Sequence, residues 1–134
     1  MIKQLTVFAE NKVGYLSEIT DLLAKNHIDM KALSIADTTD FGILRLIVDK
    51  PEAALKALNE NGLLGTITEV VGVEISNKTG ELSKALSILA NSGVNVEYLY
   101  AFLSGSADSA YVVIKATDNV AAEKILKDAG FKKI

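Results

Sequence analysis

One stretch of this sequence occurs twice, and the repetition constrains the fold more than any other feature. Residues 11–24 read NKVGYLSEITDLLA and residues 77–90 read NKTGELSKALSILA, with seven of fourteen positions identical. A shift of 66 positions also pairs Val7 with Val73, and a shift of 68 positions pairs Gly62 with Gly130. A period of this length exceeds that of solenoid repeats and matches a small domain. The 134 residues are therefore predicted to form two domains, 1–67 and 68–134.

The spacing of apolar residues changes in the same order in both copies. In copy one, the segment IKQLTVFA alternates as a strand does, and the next apolar residues fall on one stripe of a helix, namely Leu16, Ile19, Leu22 and Leu23. Two further strands, IDMKALSIAD and GILRLIV, precede the helix PEAALKALNENG, which has proline in its first turn and glycine just past its end. The order β-α-β-β-α-β is that of a ferredoxin-like unit, a four-stranded antiparallel sheet with both helices on one face.

Copy two follows the same order through VVGVEIS, a helix from Leu82 to Ala90, VNVEYLYAFL, SAYVVIKA and VAAEKILKDAG, but only three residues remain after Phe131. Its last strand is therefore predicted to be short or missing. No linker rich in glycine, serine or proline separates the copies, which favours one body over two units that swing independently. The predicted fold class is α+β, with two ferredoxin-like βαββαβ units paired side by side into one continuous antiparallel sheet and their helices on one face.

The composition disfavours several classes of function. The formal net charge of −3 is spread evenly, with 7 Lys and Arg against 9 Asp and Glu in residues 1–66 and 7 against 8 in residues 67–134. Neither half has the basic surface that nucleic-acid binding requires. No apolar run approaches the ~20 residues that span a membrane, and the first residues, MIKQLTVFAENK, lack a signal-peptide pattern. We expect a cytoplasmic protein that binds neither nucleic acid nor membrane.

Catalytic and metal chemistry find little support in the sequence. The absence of cysteine excludes disulfides and thiolate sites, and His27 is the single histidine, with no second one to complete a metal cluster. Ser17 and Ser83 repeat, but one histidine could serve Ser-His-Asp chemistry only once, and first-turn hydrogen bonding explains them better. Arg45, the one arginine, lies in mid-strand, which disfavours an acylphosphatase-like hydrolase. We expect no enzyme, no metal and no cofactor.

The repeated glycines, Gly14 and Gly80, stand where the first strand of each copy leads into its first helix. The first N–H groups of a helix lack intrahelical partners and lie at the positive end of its macrodipole, so a glycine there lets a carboxylate approach the backbone. An ordinary strand-to-helix turn, with glycine chosen for its positive φ, explains the same residues. Both interpretations remain open from the sequence.

A second polar position follows each of these helices. Asp29 and Asn95 lie between apolar residues in IDM and VNV. An acceptor oxygen there would receive a ligand ammonium while a helix start holds the ligand carboxylate, so a zwitterion would satisfy both. The alternative is a solvated residue at the start of a strand.

The segment VVGVEISNKTGELSKALSILANSGVNVEYLYAFLS closely resembles the ACT domain, the small regulatory module of amino-acid metabolism, and copy one resembles it more loosely. The likeness covers essentially the whole chain. It implies that amino acids bind where two ACT units pair, between the turn into the first helix of one unit and the Asn-bearing strand of its neighbour. Family members commonly have proline where Val13 and Thr79 stand, which implies a less rigid turn. Asp29 in place of asparagine makes the first site more acidic, so the two sites need not be equivalent. If only one of them binds, a pocket using Asn95 is favoured.

Position by position, the resemblance assigns ligand-binding roles to the turn and the strand start of each copy. In copy one these residues are Asn11, Val13, Gly14, Tyr15, Leu16, Asp29 and Met30. In copy two they are Asn77, Thr79, Gly80, Glu81, Leu82, Asn95 and Val96.

The resemblance also implies the kind of function. We expect a non-catalytic regulatory or sensor protein, a homodimer, that binds a free amino acid between its ACT units and passes the signal to a partner enzyme of amino-acid metabolism in trans. The alternative is a regulatory or assembly subunit of an amino-acid biosynthetic enzyme, in which the protein interface is the main role. The sequence identifies neither the amino acid nor the partner.

Overall fold

The computed structural model describes residues 1–134 and divides into two compact units. The N-terminal unit is Lys3–Thr68, and the C-terminal unit is Glu69–Ile134 together with Met1–Ile2. None of the helices combines the length and the apolar character needed to cross a membrane. In chain order the elements are β1 (Ile2–Glu10), α1 (Tyr15–Lys25), β2 (Met30–Asp37), β3 (Phe41–Val48), α2 (Pro51–Glu60), β4 (Leu64–Ser76), α3 (Glu81–Asn91), β5 (Val96–Leu103), β6 (Ser109–Ala116), α4 (Asn119–Asp128) and β7 (Lys132–Lys133).

The N-terminal unit is an antiparallel sheet covered by α1 and α2. Its strand order is β2-β3-β1, with the start of β4 on the far side of β1. The alternation that predicted the strands is visible in the ladder, where Val7 pairs with Leu44 and Leu5 pairs with Leu46. These residues share one face and pack against the apolar stripe of α1, at Ile19 and Leu23 among others. Each such side chain contributes about 1.5–3 kcal/mol by leaving water.

The C-terminal unit repeats this arrangement with α3 and α4. Its order is β7-β4-β6-β5, and Val73 pairs with Val112 as Val7 pairs with Leu44 in the other unit. The predicted short final strand is confirmed, because β7 consists of two residues paired with β4. Two ferredoxin-like βαββαβ units are therefore present, as the periodicity predicted.

All four helices end in the same way. The residue after each cap has a positive φ, and the next amide donates back to the last turn, as Ile28 N does to Leu23 O at 3.0 Å and Val94 N does to Leu89 O at 3.0 Å. This is the Schellman arrangement, which glycine favours because it lacks a Cβ. The positive-φ residues are His27 (56°), Gly62 (76°), Gly93 (76°) and Gly130 (92°). His27 therefore closes a helix in the role that glycine plays in the other three.

Candidate ligand site at the helix starts

Gly14 begins α1 with its backbone in the left-handed region, at φ 87°. No side chain caps the helix. Tyr15 N makes a long turn bond to Lys12 O at 3.3 Å, and the first intrahelical bond runs from Glu18 N to Gly14 O at 2.9 Å. The amides of Leu16 and Ser17 make no hydrogen bond within the protein. The helix therefore starts with bare donors at its positive end.

The start of α3 reproduces this geometry. Gly80 has φ 91° and no side-chain cap, and Lys84 N donates to Gly80 O at 2.9 Å. The amides of Leu82 and Ser83 are left bare as well. A Cβ at Gly14 or Gly80 would meet no heavy atom within 4 Å, so the positive φ, and not crowding, requires glycine at these positions.

The predicted ligand residues Asn11 and Asn77 hold the turns in place. Asn11 N donates to Asp40 O at 2.8 Å and its side-chain Nδ2 donates to Thr38 O at 3.3 Å. Asn77 bonds the facing hairpin of its own unit in the same way, with its Nδ2 3.3 Å from Ala107 O. The backbone of the turn is thereby tied to the β2–β3 or β5–β6 connection. Val13, by contrast, is fully exposed and is free to touch an incoming molecule.

Asp29 and Asn95 lie at the other end of their units. Asp29 N donates a hydrogen bond to the side chain of Asp49 at Oδ1, at 2.9 Å, and Asp49 N donates back to Asp29 O at 3.1 Å. The backbone oxygen of Asn95 accepts a hydrogen bond from Thr117 N at 3.0 Å. Since α1 has 11 residues, it separates Asp29 from Gly14 of the same unit by roughly 16 Å at 1.5 Å per residue.

The fourteen predicted residues therefore fall into two groups within each unit. One group surrounds the helix start, and the other surrounds the beginning of the second strand, where Met30 is exposed and Val96 packs against the C-terminal core. No single unit brings the two groups together. A site that uses both must take the helix start from one unit and Asp29 or Asn95 from a second one.

Beside the start of α1 lies a groove of about 440 Å³ that no pattern in the sequence predicted. We call it the N-terminal groove. Its walls come from β1, α1, the start of β3 and the connection after α2. The apolar lining is Phe8, Ala9, Tyr15, Phe41, Leu63 and Leu64, and the polar lining includes Glu10, Lys12, Glu18 and Asn61.

The C-terminal unit has a groove at the equivalent place, about 490 Å³ in volume, which we call the C-terminal groove. Its lining includes the apolar residues Ile75, Ala129 and Phe131 and the charged residues Glu74, Glu81, Lys84, Asp108 and Lys132. Ser109 Oγ donates to Glu74 Oε1 at 2.8 Å, and Lys132 Nζ lies 3.5 Å from Glu74 Oε2. The Ser109 hydrogen bond, aided by the charge of Lys132, lowers the pKa of Glu74 below its ordinary value. The two grooves differ at positions where the two copies of the repeat have different residues. Those differing positions, more than the matching ones, carry the signal for this difference in lining.

One family model matches almost the whole chain. A family model described as an ACT domain pair matches residues 1–132. A search of curated proteins found no match. The chain is similar to protein BT0572 from Bacteroides thetaiotaomicron, with 42% identity over 99% of this chain and 91% of that one, at a TM-score of 0.93.

Two further solved structures share the fold. The regulatory subunit of aspartate kinase from Thermus thermophilus is 19% identical over 96% of this chain and 92% of that one, with a TM-score of 0.70. Its counterpart from Thermus flavus is 18% identical over 95% and 91%, with a TM-score of 0.66.

Proposed function

Because the chain belongs to the ACT domain family, as a pair of ACT domains, we propose that it is a non-catalytic regulator that binds a free amino acid and signals to a partner enzyme of amino-acid metabolism. A ligand that prefers one arrangement of the units shifts the population toward it. A partner that senses the arrangement then responds with the same coupling energy, typically about 1–3 kcal/mol. We propose a homodimer as the working form.

The observation that carries this proposal is the pair of bare helix starts. At Gly14 and Gly80 the chain enters a helix with two unpaired amides and no side-chain cap. The α-carboxylate of an amino acid would accept from these amides, where the helix macrodipole favours negative charge. Its ammonium would donate to the side-chain oxygen of Asp29 or Asn95 from a second ACT unit. We favour the pocket that uses Asn95, since it matches the asparagine of the family.

The direct test is a thermal-shift screen of the full chain against the twenty amino acids. A ligand that binds only the folded state at 100 times its Kd stabilises it by about 2.7 kcal/mol. We expect one or a few amino acids to raise the melting temperature and the rest to leave it unchanged. A flat response to all twenty would contradict the proposal.

Two variants locate the binding. Gly14→Val cannot hold a positive φ without strain, so it should abolish the ligand-induced shift at the start of α1, as should Asn95→Ala in the unit that completes the site. Gly105→Val is the matched control for strain, because Gly105 has φ 88° in the hairpin after β5 and a Cβ there meets nothing within 4 Å. Asn91→Ala, an exposed asparagine at the end of α3, is the control for the amide. Both controls should keep the shift.

A second candidate function is that of a regulatory or assembly subunit whose main role is its interface. Exposed apolar side chains favour it, because such side chains mark interaction surfaces when they are contiguous. Phe8, Phe41 and Leu64 line one groove and are 41%, 60% and 65% exposed. In this case affinity capture from native lysate would return an enzyme in stoichiometric amount, and its yield would not change when amino acids are added.

A further inference from the structure

We propose that the N-terminal groove receives the side chain of an amino acid with a large apolar group, aromatic or branched aliphatic, and that the C-terminal groove does not. The inference rests on the proposed function, because it names the class of amino acid that is held beside the start of α1. It also separates the two copies, since the exposed apolar residues Phe8, Phe41 and Leu64 of the N-terminal groove are replaced by polar residues in the C-terminal groove.

The N-terminal groove is lined by apolar side chains that the fold leaves in water. Phe8 is 41% exposed, Phe41 is 60% exposed and Leu64 is 65% exposed, and all three lie on the same groove. Tyr15 supplies a further wall, with its ring packed over Gly42. A ligand side chain seated among them would take apolar surface from both partners out of water, at about 25 cal/mol for each Å².

Charged groups around the same groove suit a zwitterion. Glu10, Lys12 and Glu18 line it, are exposed and form no ion pair within the protein. A ligand ammonium would be attracted to the two carboxylates, and a ligand carboxylate would be attracted to Lys12 and to the bare amides after Gly14. The volume of about 440 Å³ lies within the range of roughly 300–1,000 Å³ that is common for small-molecule sites.

The C-terminal groove serves as an internal control, because the duplication places different side chains on the same framework. Phe41 pairs with Glu10 in the first unit, and Ser109 pairs with Ser76 in the second. Because the shift of 66 aligns Glu10 with Ser76, Ser109 stands where copy one has Phe41. The shift of 66 that aligns the first strands places Glu74 where copy one has Phe8. Gly62 and Gly130 align at the shift of 68, so Lys132 stands where copy one has Leu64.

The polar residues that replace Phe8, Phe41 and Leu64 form a hydrogen bond and an ion pair with one another. Glu74 is bonded to Ser109 and paired with Lys132, so the positions that hold apolar side chains in the N-terminal groove hold a bonded polar cluster in the C-terminal one. An apolar side chain placed there would strip water from a carboxylate and an ammonium without offering them hydrogen bonds, which is costly. The two grooves therefore select for different chemistry.

The experiment is calorimetric titration of the full chain with phenylalanine, leucine and isoleucine, and with serine, aspartate and lysine as polar comparators. We expect at least one apolar amino acid to bind and the polar ones to bind at least about tenfold more weakly, as loss of one large buried apolar group implies. Phe41→Ser and Phe8→Glu, which install the residues of the other copy, should weaken the apolar ligand about tenfold or more. Leu103→Ser, which removes an exposed apolar side chain outside both grooves, should leave binding unchanged.

The outcomes separate this inference from the function on which it rests. Tight binding of a polar amino acid that survives Phe41→Ser would overturn the inference and leave amino-acid binding intact. Equal weakening by Leu103→Ser would also overturn it, because the loss would then not come from the groove. No binding of any amino acid would overturn both. Circular dichroism of each variant confirms that it is folded, and Phe8→Glu provides a second variant should Phe41→Ser fail to fold.

Discussion

The hydroxyl oxygen of Tyr15 lies 3.1 Å from the point where Gly42 would carry a Cβ, and the ring carbon Cε2 lies 3.3 Å from it. The ring of Tyr15 therefore rests on the bare backbone of β3. In the C-terminal unit the same two positions hold Glu81 and Ala110, since Gly42 pairs with Ala9 and Ala110 pairs with Ile75. Glycine at this position of β3 leaves room for the aromatic ring.

Gly42→Ala should displace this ring and lower the free energy of unfolding by about 1 kcal/mol, the low end of the cost of overpacking. Urea denaturation measures this change in the free energy of unfolding. In a Tyr15→Glu background, which reproduces the combination found in the C-terminal unit, the same substitution should cost much less, so that the two changes are not additive. Equal costs in both backgrounds would show that Tyr15 does not impose the glycine.

His27→Gly should stabilise the protein by roughly 0.5–1 kcal/mol. The left-handed conformation strains a residue with a Cβ by about 1–2 kcal/mol, and the greater freedom of glycine in the unfolded chain removes part of the gain. The bond that His27 O accepts from Lys50 Nζ at 3.0 Å uses the backbone and should persist. The matched reversal, Gly93→His, should destabilise by a similar amount. Loss of stability in His27→Gly would mean that the imidazole makes a contribution of its own.

Ser109→Ala should raise the pKa of Glu74 toward its ordinary value, because the Ser109 hydrogen bond is the main cause of the lowered pKa. A carboxyl group with a lowered pKa in the folded state stabilises the fold above its unfolded pKa, and this contribution is lost as the pH falls through the folded pKa. The variant should therefore be less stable than the parent at neutral pH, with a difference that shrinks in acid.

Carbon-13 NMR titration of the Glu74 carboxyl, with urea unfolding at neutral and acidic pH, checks both parts of that expectation. Lys132→Gln is the control, since the charge of Lys132 contributes less to the lowered pKa than Ser109 does. A larger upward shift in Lys132→Gln than in Ser109→Ala would contradict the assignment. A stability difference that grows in acid would contradict the linkage.

The sequence predicted the elements of both units because the relevant signals are local and appear twice. The alternation around Val7 and the helical stripe that contains Leu23 each report a single element and the side that it buries. The glycines at the helix starts could also be identified, because Gly14 and Gly80 are kept where the neighbouring residues differ. The role of His27 was missed, since a left-handed residue other than glycine leaves little trace in a sequence.

The grooves could not be predicted in the same way. Phe8, Phe41 and Leu64 are far apart in the sequence and meet only because the end of β1, the start of β3 and the start of β4 lie at the same edge of the unit. Periodicity assigns a residue to a face of one element and does not say which ends of different elements meet. Gly14 and Asp29 likewise lie at opposite ends of one unit because α1 runs between them. The family motif names both positions but does not say how far apart they lie.

The central claim is that the bare amides at the helix starts hold the carboxylate of an amino acid. The most direct measurement is nitrogen-15 NMR of the labelled chain during titration with the amino acid that scores highest in the thermal screen, and with its carboxamide, which lacks the negative charge. We predict that the amide signals of Leu16 and Ser17, or of Leu82 and Ser83, move most with the amino acid and stay in place with the carboxamide. Binding that leaves all four amides unmoved, or that is equally strong for the carboxamide, would contradict the account.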